Sequence, residues 1–264
     1  MLESAAARLA AAGIENPRGE ARLLLAHVLG VGRDAVLAEP SLTPDQQKTF
    51  DVLVTRRAAR EPYAYITGKR DFWTLTLDVG PGVLIPRPET ETLIEAAMAE
   101  TRTAKRIADL GTGSGALLLA ALSEYRDATG IGFESSPLAH AYAARNAARI
   151  APSRAEIRLA DWNTATGPFD LVFCNPPYIA SAEIETLEPD VRQFEPRAAL
   201  DGGPDGLACY QSLSTLLPRI LAPGAFAILE LGAGQEPRFA GLNHVRTVPD
   251  LAGIGRAMVL SAPE

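Results

Sequence analysis

The chain has 264 residues, 47% of them hydrophobic, with a mean hydropathy of +0.04, which is room for a medium domain beside a small one. A net charge of −7 and an isoelectric point near 5.2 speak against a protein that grips duplex DNA or folded RNA through a basic face. No apolar run approaches the ~20 residues that span a bilayer, so no membrane partner is expected.

From Met1 to Ala12 the pattern is alanine-rich, with Glu3 and Arg8 inside it, and it lacks the basic head, apolar stretch and cleavage site of a signal peptide. A cytoplasmic location is expected. Apolar residues recur at helical spacing to about Arg60: Leu2, Leu9 and Ile14, then Leu23 to Leu25, Val28 and Leu29, then Phe50, Leu53 and Val54. Asn16-Pro17 and Thr43-Pro44 each place a capping residue before a proline, and Gly30 and Gly32 supply a stop. Residues 1–60 are therefore predicted to form a small helical bundle. Its basic cluster, Arg56, Arg57 and Arg60 with Lys69 and Arg70, reads as a solvated helix end. Residues 1–80 carry ten basic and ten acidic side chains, so the whole negative balance, fifteen against twenty-two, falls on residues 81–264.

Glu61-Pro62 breaks the helical pattern. Tyr63 to Gly68 and Phe72 to Val79 then read as the two arms of a β-hairpin, and residues 61–85 are expected to link two domains. Gly80 to Glu91 follows as a stiff loop, in which Pro86 and Pro88 bracket Arg87 before a helix begins.

After Lys105 strand and helix alternate, the pattern of a parallel sheet covered on both faces. Strands are predicted near 106–110, 130–134, 155–159, 169–174, 225–231, 244–249 and 256–261, a doubly wound sheet of seven strands that ends in an antiparallel hairpin. Residues 86–264 make this domain. The first strand runs through Asp109 into Gly111-Thr112-Gly113-Ser114-Gly115, a turn whose backbone N–H groups can approach a ligand. The spacing differs from the dinucleotide fingerprint, and no Lys-Ser/Thr pair follows for a phosphate loop. Asp109 would repel a pyrophosphate but would attract a cationic amine or sulfonium, which points to S-adenosylmethionine. Glu134 ends the second strand, placed to accept from ribose hydroxyls. Asp161-Trp162 ends the third, where the acid can accept from an adenine amino group while the indole packs on the ring.

The fourth strand, from Phe169, stops at Asn175-Pro176-Pro177-Tyr178. The prolines fix an extended backbone and have no N–H to donate. The Asn175 side-chain oxygen and an adjacent carbonyl thus form paired acceptors, suited to a planar –NH2 group, with Tyr178 as a flat wall whose hydroxyl is free at the rim. Cys174 and Cys209 show no paired spacing, and the three histidines stand far apart, so neither a disulfide framework nor a metal is expected.

The order of Asp-Leu-Gly-Thr-Gly-Ser-Gly, an acid at 134, Asp161-Trp162 and Asn-Pro-Pro-Tyr resembles the class I S-adenosylmethionine-dependent methyltransferases, Rossmann-like enzymes that modify planar nitrogens. Ile85 to Glu91, Glu195-Pro196-Arg197, Ala199 to Gly203 and the helical front domain are together similar to the HemK family, the bacterial release-factor glutamine methyltransferases. This likeness covers nearly the whole chain. It implies methyl transfer to the side-chain amide nitrogen of the glutamine in the Gly-Gly-Gln loop of peptide chain release factors, with S-adenosylhomocysteine as product and a role in translation termination. By the same resemblance Asp109, Gly111 to Gly115, Glu134, Asp161, Trp162 and Asn175 bind the cofactor. Asn175 to Tyr178 hold the substrate and carry catalysis, Arg87 helps close the site, and residues 1–60 grip the release factor. A monomer with no direct nucleic-acid partner is expected. Glu134 stands where the family more often has Asp, and the segment after Asp250 to Gly253 is shifted. Two alternatives stay open: an adenine-N6 methyltransferase acting on DNA or RNA, and a protein that binds S-adenosylmethionine without catalysis.

Overall fold

Helix starts in the first sixty residues are set by side chains that satisfy otherwise unpaired backbone N–H groups. In the computed structural model, which describes residues 1–32, 35–36 and 40–264, α1 spans Leu2–Ala11, α2 Pro17–Leu29 and α3 Pro44–Ala58. Asn16 Oδ1 accepts from the Gly19 N–H at 3.1 Å, and Thr43 forms a reciprocal capping box with Gln46. Gly30 closes α2 in the left-handed conformation, at φ 66°. The three helices bury Leu9, Leu24, Leu25, Phe50 and Val54 against one another.

The chain divides into two compact units, one of Met1–Lys69 with Glu188–Phe194, the other of Arg70–Leu187 with Glu195–Glu264. Inside the first unit the arginines of the cluster are ion-paired, and Arg57 and Arg60 are largely withdrawn from solvent. Arg57, only 7% exposed, pairs with Glu20 at 3.0 Å and with Asp190 at 2.8 Å. Arg56 pairs with Glu61 at 2.6 Å, and Arg60 with Glu188 at 3.2 Å. The acids that neutralise it lie more than 120 positions away as well as nearby, which helical periodicity cannot register.

The expected first arm of the hairpin is a helix. Tyr63–Thr67 forms α4, opened by Pro62 and closed by Gly68 at φ 72°, with Ala64, Tyr65 and Ile66 all buried. Three consecutive buried positions suit a helical turn inside a core, and that burial overrides the β propensity of Tyr, Ile and Thr. The hairpin is shorter than expected, β1 at Lys69–Phe72 and β2 at Leu75–Asp78. It is also no free linker. Buried Asn146, on α7 (Pro137–Ile150), accepts from the Asp78 N–H at 2.8 Å and donates to the Asp78 carbonyl at 3.0 Å and the Ser114 carbonyl at 2.9 Å.

The seven remaining strands are β3 (Arg106–Leu110), β4 (Thr129–Glu134), β5 (Ala155–Leu159), β6 (Phe169–Cys174), β7 (Leu221–Glu230), β8 (Asn243–Pro249) and β9 (Gly255–Ser261), in the order β5-β4-β3-β6-β7-β9-β8. β3 to β7 pair in parallel, and β9 runs antiparallel to both β7 and β8. Helices α5 (Glu91–Glu100), α6 (Ala116–Glu124), α7 and α8 (Ala208–Ile220) pack on this sheet. Central β6 is buried at Phe169 and continuously from Leu171 to Cys174, the mark of a parallel strand covered on both faces. The strand order reverses between β3 and β6, so their carboxyl ends open a crevice there. No helix among the described residues is long and apolar enough to cross a membrane.

Candidate active site

A cleft of about 320 Å³ occupies that crevice, and its walls come from successive strand ends. Leaving β3, the chain turns through Gly111, Gly113 and Gly115, with φ of 75°, 59° and 86°. These are left-handed conformations that a side chain would strain. Glu134, at the end of β4, accepts from the Gly113 N–H at 2.9 Å and from the Ser136 N–H at 2.8 Å. Each of its oxygens keeps a lone pair for a further donor. Asp161 caps the short turn after β5, accepting from the Asn163 N–H at 2.8 Å. The Trp162 ring lies over the loop, so that a Cβ at Gly111 would come within 3.1 Å of it.

Asp109 is the electrostatic centre of this half. It is 1% exposed. Its Oδ2 accepts from Thr112 Oγ1 at 2.6 Å and from the Leu118 N–H at 3.2 Å, while its buried Oδ1 has no hydrogen-bond partner among the described residues. An unpaired buried carboxylate oxygen is costly unless a ligand supplies the donor. Burial pushes its carboxyl up to about 7, against the two donors that pull it down. A cationic amine beside Oδ1 would meet both deficits, so the residues present fit S-adenosylmethionine.

The other half is built on the tip after β6. Asn175, Pro177 and Thr90 line the cleft, and Pro176 is buried. Asn175 Nδ2 donates to Thr90 Oγ1 at 3.4 Å, Thr90 Oγ1 donates to Glu230 Oε2 at 2.6 Å, and the Tyr178 hydroxyl donates to Glu230 Oε1 at 3.0 Å. The Tyr178 hydroxyl is therefore committed to a buried carboxyl group and not free at the rim, because Glu230 at the end of β7 offers it an acceptor. Burial raises the Glu230 carboxyl, with Thr90, Tyr178 and Arg256 acting the other way. Burial also raises the Tyr178 hydroxyl, helped by the Glu230 charge. Behind the tip, the Ile179 N–H donates to the Leu200 carbonyl and the Gly202 N–H to the Ile179 carbonyl, at 3.0 and 2.8 Å. A Cβ on Gly202 would fall 2.8 Å from the Pro177 carbonyl oxygen and from the Tyr178 Cα.

Of the residues expected at the site, the cleft wall gathers Asp109, Gly111, Thr112, Gly113, Ser114, Glu134, Asp161, Trp162, Asn175 and Pro177. Gly115, Pro176, Tyr178 and Arg87 stand outside it. Arg87 is held by Glu195 at 2.5 Å, whose second oxygen accepts from the Ile85 N–H at 3.1 Å. Thr90 and Glu230 were not anticipated. A sequence signal for Glu230 existed, since it is an acid closing an apolar strand, as Glu134 is; Thr90 had none.

A parallel sheet with one antiparallel insertion, a glycine turn after its first strand and acids at the next strand ends define a class I methyltransferase fold. A methyltransferase from Pyrococcus furiosus shares it, with a TM-score of 0.53 at 15% identity over 83% of this chain and 99% of that one. Residues 1–68 match the model of the PrmC N-terminal domain and residues 88–189 that of the methyltransferase small domain. The release factor glutamine methyltransferase of Rhodospirillum rubrum is 45% identical over 93% of this chain and 77% of its own. That of Caulobacter vibrioides is 43% identical over 96% and 92%. The chain belongs to the release factor glutamine methyltransferase family.

Proposed function

We propose that this protein transfers a methyl group from S-adenosylmethionine to the side-chain amide nitrogen of the glutamine in the Gly-Gly-Gln loop of peptide chain release factors, in the cytoplasm. The observation that carries the chemistry is the Asn175 amide, whose –NH2 is turned to Thr90 so that its oxygen is left for the cleft. When bound, S-adenosylmethionine supplies a methyl group activated by its sulfonium and leaves as S-adenosylhomocysteine. Asp109 Oδ1 would hold its cationic amine, Glu134 its ribose hydroxyls, and Trp162 with Asp161 its adenine.

An amide nitrogen is a poor nucleophile, because its lone pair is delocalised into the carbonyl. Asn175 Oδ1 and the Pro176 carbonyl, accepting from its two N–H groups, orient the nitrogen and offset the positive charge that grows on it. The acidic proton of the methylated nitrogen passes to solvent after the carbon–nitrogen bond has formed, so no strong base is needed at the tip. Residues 1–60 would grip the release factor, and Arg87, braced by Glu195, would border the site. Asn175→Ala is expected to lower the single-turnover rate by about 10² to 10³, the usual loss for one hydrogen-bond partner of a reacting group. Cofactor affinity, measured by titration calorimetry, should fall by far less than the rate. A variant as fast as the parent would remove Asn175 from the reaction.

A further inference from the structure

Resting on that reading, we infer that Thr90 and Glu230 form a hydrogen-bond relay that fixes which end of the Asn175 amide faces the substrate. An asparagine amide is nearly symmetric in shape. Rotated by 180° it presents two donors where it had presented an acceptor, and a donor facing the substrate –NH2 would repel the group it must hold. The side chain therefore needs a partner that can tell its two ends apart.

A hydroxyl alone cannot do this, since Thr90 Oγ1 both donates and accepts. Glu230 removes the ambiguity. Both of its oxygens accept, one from Thr90 and the other from Tyr178, so the contact at 2.6 Å uses the Thr90 hydroxyl hydrogen. Thr90 Oγ1 can then only accept, and it accepts from Asn175 Nδ2. Oδ1 is left to point at the cleft. Glu230 is in turn held from its other oxygen by Tyr178, its own carbonyl accepts from the Tyr210 hydroxyl at 2.8 Å, and it is 1% exposed. Water cannot compete for Thr90 there, and chains of bonds in a low dielectric reinforce one another. Both residues act through Asn175 and are positioning residues. The relay also gives the stiff loop before α5 a role: it delivers Thr90 to the tip from 85 positions earlier in the chain.

The test uses the full-length protein with an unmethylated release factor, comparing Thr90→Ser, Thr90→Val and Glu230→Gln. Thr90→Ser keeps the hydroxyl and should stay within about threefold of the parent kcat. Thr90→Val keeps the shape without the hydroxyl. Glu230→Gln can donate to Thr90 and so allows the polarity to reverse. Both should lose roughly ten- to a hundredfold in kcat, a share of what direct removal of the acceptor costs. KM for the release factor and cofactor affinity should move less than threefold. Equal losses in Thr90→Ser and Thr90→Val would mean packing rather than polarity, and unchanged kcat in Thr90→Val would overturn the relay outright. Should Glu230→Gln not fold, the Thr90 pair still decides. An inactive parent would instead sink the functional reading on which the relay rests.

Discussion

Asp109 shows how one side chain can couple ligand binding to pH. Its carboxyl stands at about 7 in the folded protein, against an ordinary value of 3.8. For such a raised group, stability is present below pH 4 and is lost as pH rises through 7, because folding holds an anion away from water. A ligand cation at Oδ1 favours the ionised form. Below pH 7 the carboxyl must give up its proton when the ligand binds, so affinity for S-adenosylmethionine should rise by up to tenfold per pH unit and level off above 7. Calorimetry in buffers of different ionisation enthalpy should detect release of up to one proton at pH 6 and almost none at pH 8. Asp109→Asn should bind weakly at every pH with a flat profile; an unchanged affinity would show that the cation sits elsewhere. Glu134 is different, since of the oxygens expected to meet ribose one already braces the glycine turn at Gly113 and the other accepts from the Ser136 N–H.

At the scale of elements, the tip after β6 depends on a segment that follows it by about 25 residues. Gly202 is where the backbone of that segment passes the tip, and no Cβ fits there. Gly202→Ala should displace Pro177 and Tyr178 and cost at least a hundredfold in kcat, since angstrom-scale misplacement of a reacting group is that expensive. Cofactor affinity should hold, because the glycine turn after β3 lies on another strand; loss of both together would mean general unfolding. The central strands β3 and β6 are legible as short apolar runs closed by polar or glycine residues, and the order of motifs at the strand ends marks the cofactor half of the cleft. The first arm of the hairpin was misread because local propensity favours a strand in Tyr63 to Thr67 and only burial makes it helical. Glu230 carries a strand-end signal, but its pairing with the tip through Thr90 is not readable. Thr90 and Glu230 lie 85 positions before Asn175 and 55 after it, and no local pattern joins them.

Across the whole molecule, sequence order and compactness part company. Glu188–Phe194 lies between β6 and β7 in the chain yet groups with the first unit, where Asp190 neutralises Arg57. The basic cluster there is thus already satisfied, and the negative balance falls on residues 81–264. Both speak against the basic phosphate-binding face that an adenine-N6 methyltransferase on duplex DNA would need. The amide reading, in contrast, asks only for a pocket with paired acceptors. The most direct test is transfer of labelled methyl from S-adenosylmethionine to three acceptors: a purified unmethylated release factor, the same factor with the Gly-Gly-Gln glutamine changed to alanine, and duplex DNA. Label on the first alone is the expected result. Label on the alanine variant or on the DNA, or no label anywhere although the cofactor binds, would contradict the account.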